Sequence, residues 1–273
     1  MNAHEWSDAM IHPTAVIHPT ARIGEGVQIG PFCVIGEGCS VGDYTVLAAN
    51  VMLDKHTSLG ENCNVMSGAV LGGPPQDTKW AGEVTYCEIG DHNIIREYVT
   101  IHRATGEGNV TRVGNSNMIM GYCHIGHNCE IGNHVIVANQ AGISGHVIVE
   151  DHVVFGGMVG VHQYTRIGRL SMIGGMSKVV QDVPPFTLAD GRPAEILDLN
   201  TIGLRRQQIP ASVRSGLRQA YKLLYRSKLN MSQAIDAIEE EVDPSPERDY
   251  LLDFMKGIRK GFAGRAMDPR RAK

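Results

Sequence analysis

From Ile11 onward an aliphatic residue returns at every sixth position: Ile17, Ile23, Ile29 and Ile35, then Val41, Leu47, Leu53, Leu59, Val65 and Leu71. The rhythm resumes at Ile89, Ile95 and Ile101, and again from Val113 to Val179. It covers 26 positions, and only Phe155 among them is not Val, Ile or Leu. Gly follows at 13 of the 26, and a small residue such as Ala15, Cys33, Thr45, Ala141 or Ser171 stands four places on. A period of six predicts a parallel β-helix in which each hexad supplies one short strand and one turn. Three hexads close a triangular coil of 18 residues. The aliphatic residue fills the prism, the small one packs inward near a corner, and Gly, Asn and Asp are expected to supply the turns.

The rhythm breaks at 72–88 and 103–112, which read as loops extruded from the solenoid, where function often gathers. It ends after Val183, at Pro184-Pro185. Beyond that point the apolar residues take helical spacing: Val213, Leu217, Tyr221, Leu224 and Tyr225; Met231, Ile235, Ile238 and Val242; Leu251, Phe254, Ile258 and Phe262. The chain thus divides into a β-helix over 1–195 and a small α-helical domain over 196–273. The helices are expected to cover the open edge of the last coil.

Composition agrees with a narrow prism. Among 273 residues there are 32 Gly and only 15 aromatic residues, while 42% are hydrophobic and 20% charged, which excludes disorder. Cys33, Cys39, Cys63, Cys123 and Cys129 all fall on the small inward position, so packing explains them better than metal or redox chemistry. Cys87 falls outside the pattern. The first residues lack a signal peptide, and no apolar run is long enough for a membrane span. A cytoplasmic protein with reduced thiols and no membrane insertion is expected.

The net charge of −4 points to neither nucleic acid nor a membrane surface. It is uneven, however: 9 basic against 17 acidic residues up to 189, then 16 against 12. The basic end suits an acidic carrier protein or a nucleotide phosphate, or is simply a solvated helical surface.

Stacked coils place residues 18 apart in one column. His127, Gly145 and Gln163 share a column, flanked by Asn128, His146 and Tyr164 on one side and by Gly126, Ser144 and His162 on the other. His124 lies just before this corner. His134 and His152 also stack, but without polar company, and read as surface. The cluster is poor in zinc ligands, having neither Cys nor carboxylate among its column neighbours. A histidine general base beside a Gly whose N–H can meet an oxyanion is the better reading, and it is the equipment of acyl transfer.

With these residues in view, the chain resembles the UDP-N-acetylglucosamine 3-O-acyltransferases that begin lipid A synthesis. The resemblance spans nearly the whole chain, through HPTA near the start, QDTKWAGE at 76–83, IREYVTIHRAT at 94–104, HIGHNC at 124–129, SGHV at 144–147, GGMVGVHQY at 156–164 and LNTIGLRR at 199–206. It implies a left-handed β-helix, a homotrimer with sites between subunits, and transfer of a 3-hydroxyacyl chain from acyl carrier protein without a cofactor. It assigns His127 as general base and Gly145 as oxyanion donor, and matches Gln76, Asp77, Lys79, His124, His146, His162 and Gln163 to substrate contacts. Asn200 and Arg206 match contacts to the nucleotide, where Arg205 replaces a Lys, and Gly175 matches the position that limits acyl length. Asn128 stands where family members often have an Asp that orients the base. The rival readings are the N-acyltransferase acting later in the same pathway, another hexapeptide acyl- or acetyltransferase, and a non-catalytic scaffold.

Overall fold

In the computed structural model, which describes residues 10–260 and 264–268, the chain winds into three sheets of nine, eight and ten strands. Face 1 begins with Val16–Ile17, face 2 with Arg22–Ile23 and face 3 with Gln28–Ile29, and the order then repeats. Within a face the strands are parallel and one coil apart, so that Val34 pairs with Met52 and Val46 with Asn64. The result is a left-handed parallel β-helix. Leu53, Leu71, Ile95, Ile101, Ile119, Ile125 and Ile143 are wholly buried along its axis, and Phe155 is the one ring in that series.

Register locates the two loops. Leu59 faces Ile89, thirty positions on, and Ile89 faces Val113, twenty-four on. The first loop therefore adds twelve residues to a coil of 18 and the second adds six. Both leave from the same corner, where face 1 passes into face 2: the first between Val70–Gly73 and Tyr86–Ile89, the second between Thr100–His102 and Val110–Val113. The strands reclaim the ends of both segments, leaving free loops shorter than the broken rhythm suggests.

The turns depart from expectation in an informative way. The left-handed position of the corners is filled by His, Tyr, Asn or Met more often than by Gly; Tyr98, Tyr122, Asn128, His146, Met158 and Tyr164 all have φ between 57° and 63°. The repeat's glycines answer a different need. A Cβ on Gly42 would lie 2.5 Å from the backbone of Gly60 in the next coil, and one on Gly114 2.7 Å from the carbonyl oxygen of Gly132. Close stacking of coils, rather than a positive φ, requires them.

All six cysteines are free and buried. Cys87, which fell outside the hexad pattern, points inward on face 2 in register with Thr57 and Thr111. Burial pushes both its thiol and that of Cys129 up to about 12.

After the last coil a hairpin, Thr187–Gly191 with Ala194–Leu199, extends face 3. The expected domain boundary at 195 falls inside this hairpin, and the architecture changes only after Leu199. Four helices follow: α1 (Thr201–Arg206), α2 (Ala211–Tyr225), α3 (Met231–Glu241) and α4 (Pro246–Lys260). The three helical patterns correspond to α2, α3 and α4, whereas α1 carried no apolar periodicity; Phe262 lies outside the described residues. Asn230 starts α3 with a capping box closed by Gln233, satisfying two helix-end donors at once.

Leu170 and Phe186 join the helices' own core of Leu217, Ile238, Leu252 and Phe254. The hairpin covers the open edge of face 3, while α4 packs on the flank of the final coils. There Arg166 sits 4.4 Å from the Phe254 ring, and the Tyr250 hydroxyl donates to Glu150 at 2.6 Å. Among the described residues no helix is long and apolar enough to cross a membrane.

Phe155→Ala is expected to destabilise the protein by about 3–5 kcal/mol, because a narrow prism cannot collapse around the lost ring. Chemical denaturation against the native protein measures it; a loss below about 1 kcal/mol contradicts a rigid prism.

Candidate active site

The corner between faces 1 and 2 gathers the polar residues. Backbone hydrogen bonds join its coils: His146 N–H donates to His127 O at 2.9 Å and Tyr164 N–H to Gly145 O at 3.2 Å. The columns expected from an 18-residue coil are therefore present. Asn128, His146 and Tyr164 occupy the left-handed position of successive turns. The His146 ring stacks on Tyr164 at 4.5 Å and meets the His127 ring edge-on at 5.1 Å.

Gly145 faces the His127 imidazole so closely that a Cβ built on it would lie 2.6 Å from both Nε2 and Cε1. No side chain larger than hydrogen fits there without moving the ring. His127 Nδ1 lies 2.8 Å from Asn128 Oδ1. His124 stands on face 1, in the strand His124–Ile125 that leads into the turn of His127, with its Nδ1 2.8 Å from Thr100 Oγ1. Burial, and then the His127 charge, pushes the His124 imidazole down. The same two causes lower His146, against a smaller upward pull from Asp77. Asp77 thus lies within electrostatic reach of the histidine corner.

The loops fold onto this corner and onto each other. Glu83 Oε1 accepts from Gly106 N–H at 2.8 Å, and Glu107 Oε2 from Val84 N–H at 3.1 Å. Buried Arg103 donates to Gly72 O at 2.8 Å and pairs with Asp54 at 3.2 Å, and it lies 5.4 Å from the centre of the Trp80 ring. Within the first loop Asp77 Oδ1 accepts from Lys79 N–H at 3.0 Å, while the side chains of Gln76 and Lys79 are exposed. His162 Nδ1 lies 3.0 Å from the Gln163 carbonyl at the next coil's corner.

Four expected residues lie elsewhere in the chain. Gly175 is exposed in the turn from face 3 to face 1, a different corner of the triangle. Asn200 caps α1: its Oδ1 accepts from Gly203 N–H at 2.9 Å and its Nδ2 donates to Leu170 O at 2.8 Å, so both ends of its amide are engaged. Arg205 and Arg206 are exposed in the last turn of α1. Arg205 lines a cavity of about 240 Å³ together with Thr201, Arg214, Ser215 and Arg218, and Arg214 Nε is buried without a hydrogen-bond partner among the described residues. A groove of about 580 Å³ runs along face 2 past Glu88, Arg112 and Glu130 and includes none of the histidines.

Comparison with known proteins bears directly on this arrangement. Residues 182–263 match the family model described as UDP-N-acetylglucosamine O-acyltransferase, domain 2, and residues 6–37, 20–55 and 111–145 match the hexapeptide-repeat model of bacterial transferases. The acyl-[acyl-carrier-protein]–UDP-N-acetylglucosamine O-acyltransferase of Thermodesulfovibrio yellowstonii is 47% identical over 92% of this chain and 98% of its own. The chain belongs to the UDP-N-acetylglucosamine O-acyltransferase family. The Burkholderia orbicola relative of the same name is 41% identical over 92% of this chain and 98% of its own. Among solved structures, the UDP-N-acetylglucosamine acyltransferase of Bacteroides fragilis has a TM-score of 0.88 at 40% identity, covering 90% of this chain and 97% of its own. The LpxA structure of Acinetobacter baumannii also has a TM-score of 0.88, at 42% identity, covering 91% and 97% respectively.

As a member of this acyltransferase family the chain carries corner residues that the column reasoning did not single out: His102, Arg103, Thr105 and Thr111. All lie in or beside the second loop, where coil length is no longer 18. A count of 24 would have placed Arg103 over His127. His102 is buried against His124, edge-on at 4.8 Å, and its Nδ1 has no hydrogen-bond partner among the described residues. Burial, and then the charges of His124, His127 and Arg103, lowers its imidazole from 6.5 to about 4.

A histidine held below its unfolded value binds protons more readily in the unfolded chain. Its contribution to stability is therefore complete above pH 6.5 and is lost as pH falls toward about 4. His102→Gln is expected to flatten the acid limb of stability across that window. Denaturation midpoints measured through it decide the matter; an unchanged slope contradicts a buried neutral His102.

Proposed function

We propose that the protein transfers a 3-hydroxyacyl chain from the phosphopantetheine thioester of acyl carrier protein to the 3-hydroxyl of UDP-N-acetylglucosamine. The observation that carries this reading is the pairing of His127 with Gly145 across adjacent coils. Nε2, the ring nitrogen on the side of Gly145, takes the proton of the sugar hydroxyl as its oxygen attacks the thioester carbonyl. The carbonyl oxygen becomes an oxyanion, which the Gly145 N–H meets; among the described residues no group accepts that N–H. Collapse breaks the C–S bond, and the departing thiolate takes the proton held on His127, returning the imidazole to its neutral form. The thioester brings the acyl group already activated, so these steps call for no cofactor.

Asp77, Gln76 and Lys79 of the first loop bind substrate with His124, His146, His162 and Gln163, a reading supported by the electrostatic reach of Asp77 to His146. Asn200, Arg205 and Arg206 meet the nucleotide, the two arginines supplying positive charge to its phosphates. Gly175 limits the acyl chain: a Cβ there meets nothing closer than 3.4 Å, so the turn has room that a larger side chain would fill. Gly175 and His127 stand on different corners of one subunit. They share a cleft when the corner of one copy abuts the neighbouring corner of another, as in a homotrimer with its sites between subunits. The basic helical end suits the acidic carrier, which belongs with a cytoplasmic enzyme.

His127→Ala is expected to lower kcat by about 10²-fold or more, leaving the KM for the sugar nucleotide little changed. Near-native turnover at saturating substrate contradicts the assignment. Gly175→Met is expected to shift preference toward shorter acyl chains, measured with carrier-bound chains of several lengths. An unaltered length profile contradicts the limiting role.

A further inference from the structure

The second loop closes on the Asn128 side chain through Thr105. Asn128 Oδ1 lies 2.9 Å from Thr105 N and 3.0 Å from Thr105 Oγ1, in addition to its contact with His127 Nδ1. Its Nδ2 lies 3.0 Å from Thr105 O, which also accepts from Asn109 Nδ2 at 2.8 Å. The Asn128 backbone is fixed as well, its N–H donating to Thr105's near neighbour Thr111 through Oγ1 at 2.8 Å.

The chemistry of these contacts leaves one solution. A backbone N–H can only donate and a backbone carbonyl can only accept. The atom of Asn128 facing Thr105 N–H must therefore be the oxygen, and the atom facing Thr105 C=O must be the amide nitrogen. Turning the amide over would set two donors against each other at one end and two acceptors at the other, inside a half-buried corner where unpaired polar groups are costly. With the oxygen so placed, His127 Nδ1 faces an acceptor that cannot donate back. It must carry the proton, and Nε2 keeps its lone pair on the side of Gly145.

We propose that Thr105 is a positioning residue of this site, acting through the Asn128 amide to hold His127 as its Nδ1–H tautomer. The second loop is then part of the apparatus that prepares the base. Glu83 of the first loop extends it, since its carboxylate holds Gly106, the residue next to Thr105. An amide suffices at 128 because its polarity is read by two backbone groups and needs no charge. The kinetic part of this proposal rests on the reading of His127 as general base; the tautomer does not.

The test uses the full-length protein labelled with 15N-histidine, observed by NMR at about pH 8, where imidazoles are neutral. The His127 signals are identified by their loss in His127→Gln. Native protein is expected to show the Nδ1–H tautomer at His127, and Asn128→Leu the Nε2–H tautomer. Thr105→Val keeps the shape of the side chain and removes one of three donors to Oδ1. It is expected to give a mixture of tautomers and a kcat lower by about fivefold at unchanged KM, the equivalent of one ordinary hydrogen bond. Thr105→Ser, which restores the hydroxyl, is expected to recover both.

An Nε2–H tautomer in the native protein overturns the proposal, as does a Thr105→Val protein with native tautomer and native kcat. If the tautomers respond as stated but no acyl transfer is found with any carrier-bound chain, the positioning role stands and the assigned reaction falls.

Discussion

The whole molecule depends on one constraint: each coil must hydrogen-bond to the next along all three faces while its side chains fill a prism of fixed width. Once Val34 pairs with Met52, every residue in both coils has its neighbour assigned. This makes the active corner a product of stacking. His127, Gly145 and Gln163 converge because they stand one coil apart, without long-range folding to bring them together. Extra residues can leave the prism only at a corner, and both loops leave at the one that carries the histidines.

That constraint also explains the local cost the corner carries. Asn128, His146 and Tyr164 sit in the left-handed region, which an L-residue other than glycine enters at a cost of about 1 kcal/mol. Glycines there would be cheaper but would supply no imidazole, amide or ring. Continuous ladders on either side hold the turns in that geometry, so the side chains stack in order: His146 on Tyr164, His127 against His146. Gly145 shows the opposite requirement in the adjacent column, since any side chain there meets the ring of His127.

Much of this was legible in the chain itself, and the physical reason is that a hexad period maps directly onto geometry. Twenty-six repeat positions, all but one aliphatic, announced the prism, and an interval of 18 placed His146 beside His127 without any structure. Legibility failed where the interval changed. Cys87 looked like a stray residue because strand Tyr86–Ile89 resumes inside the first break. Thr105 and His102 passed unassigned because the second loop lengthens its coil, so that counting by 18 assigns them the wrong neighbours. The domain boundary was misplaced for a different reason: the hairpin Thr187–Leu199 continues face 3 without the hexad pattern that announces a coil. Gly175 and the α1 arginines lie away from the corner of His127, and no interval in the sequence relates them to it.

The doubled loop also bears on how such a site is acquired. Closing a turn of 30 residues rather than 18 costs (3/2)RT ln(30/18), about 0.5 kcal/mol, because closure entropy grows only with the logarithm of length. A coil that gains twelve residues still binds its neighbours through the same short ladders, and coils further along are untouched, since each contacts only the next. Insertions at a solenoid corner are thus nearly free of thermodynamic penalty, whereas a single added residue inside a strand would turn every later side chain inside out. The scaffold confines evolutionary experiment to its edges, and here the edge that tolerates insertion is also the edge that carries His127, His146 and Gly145.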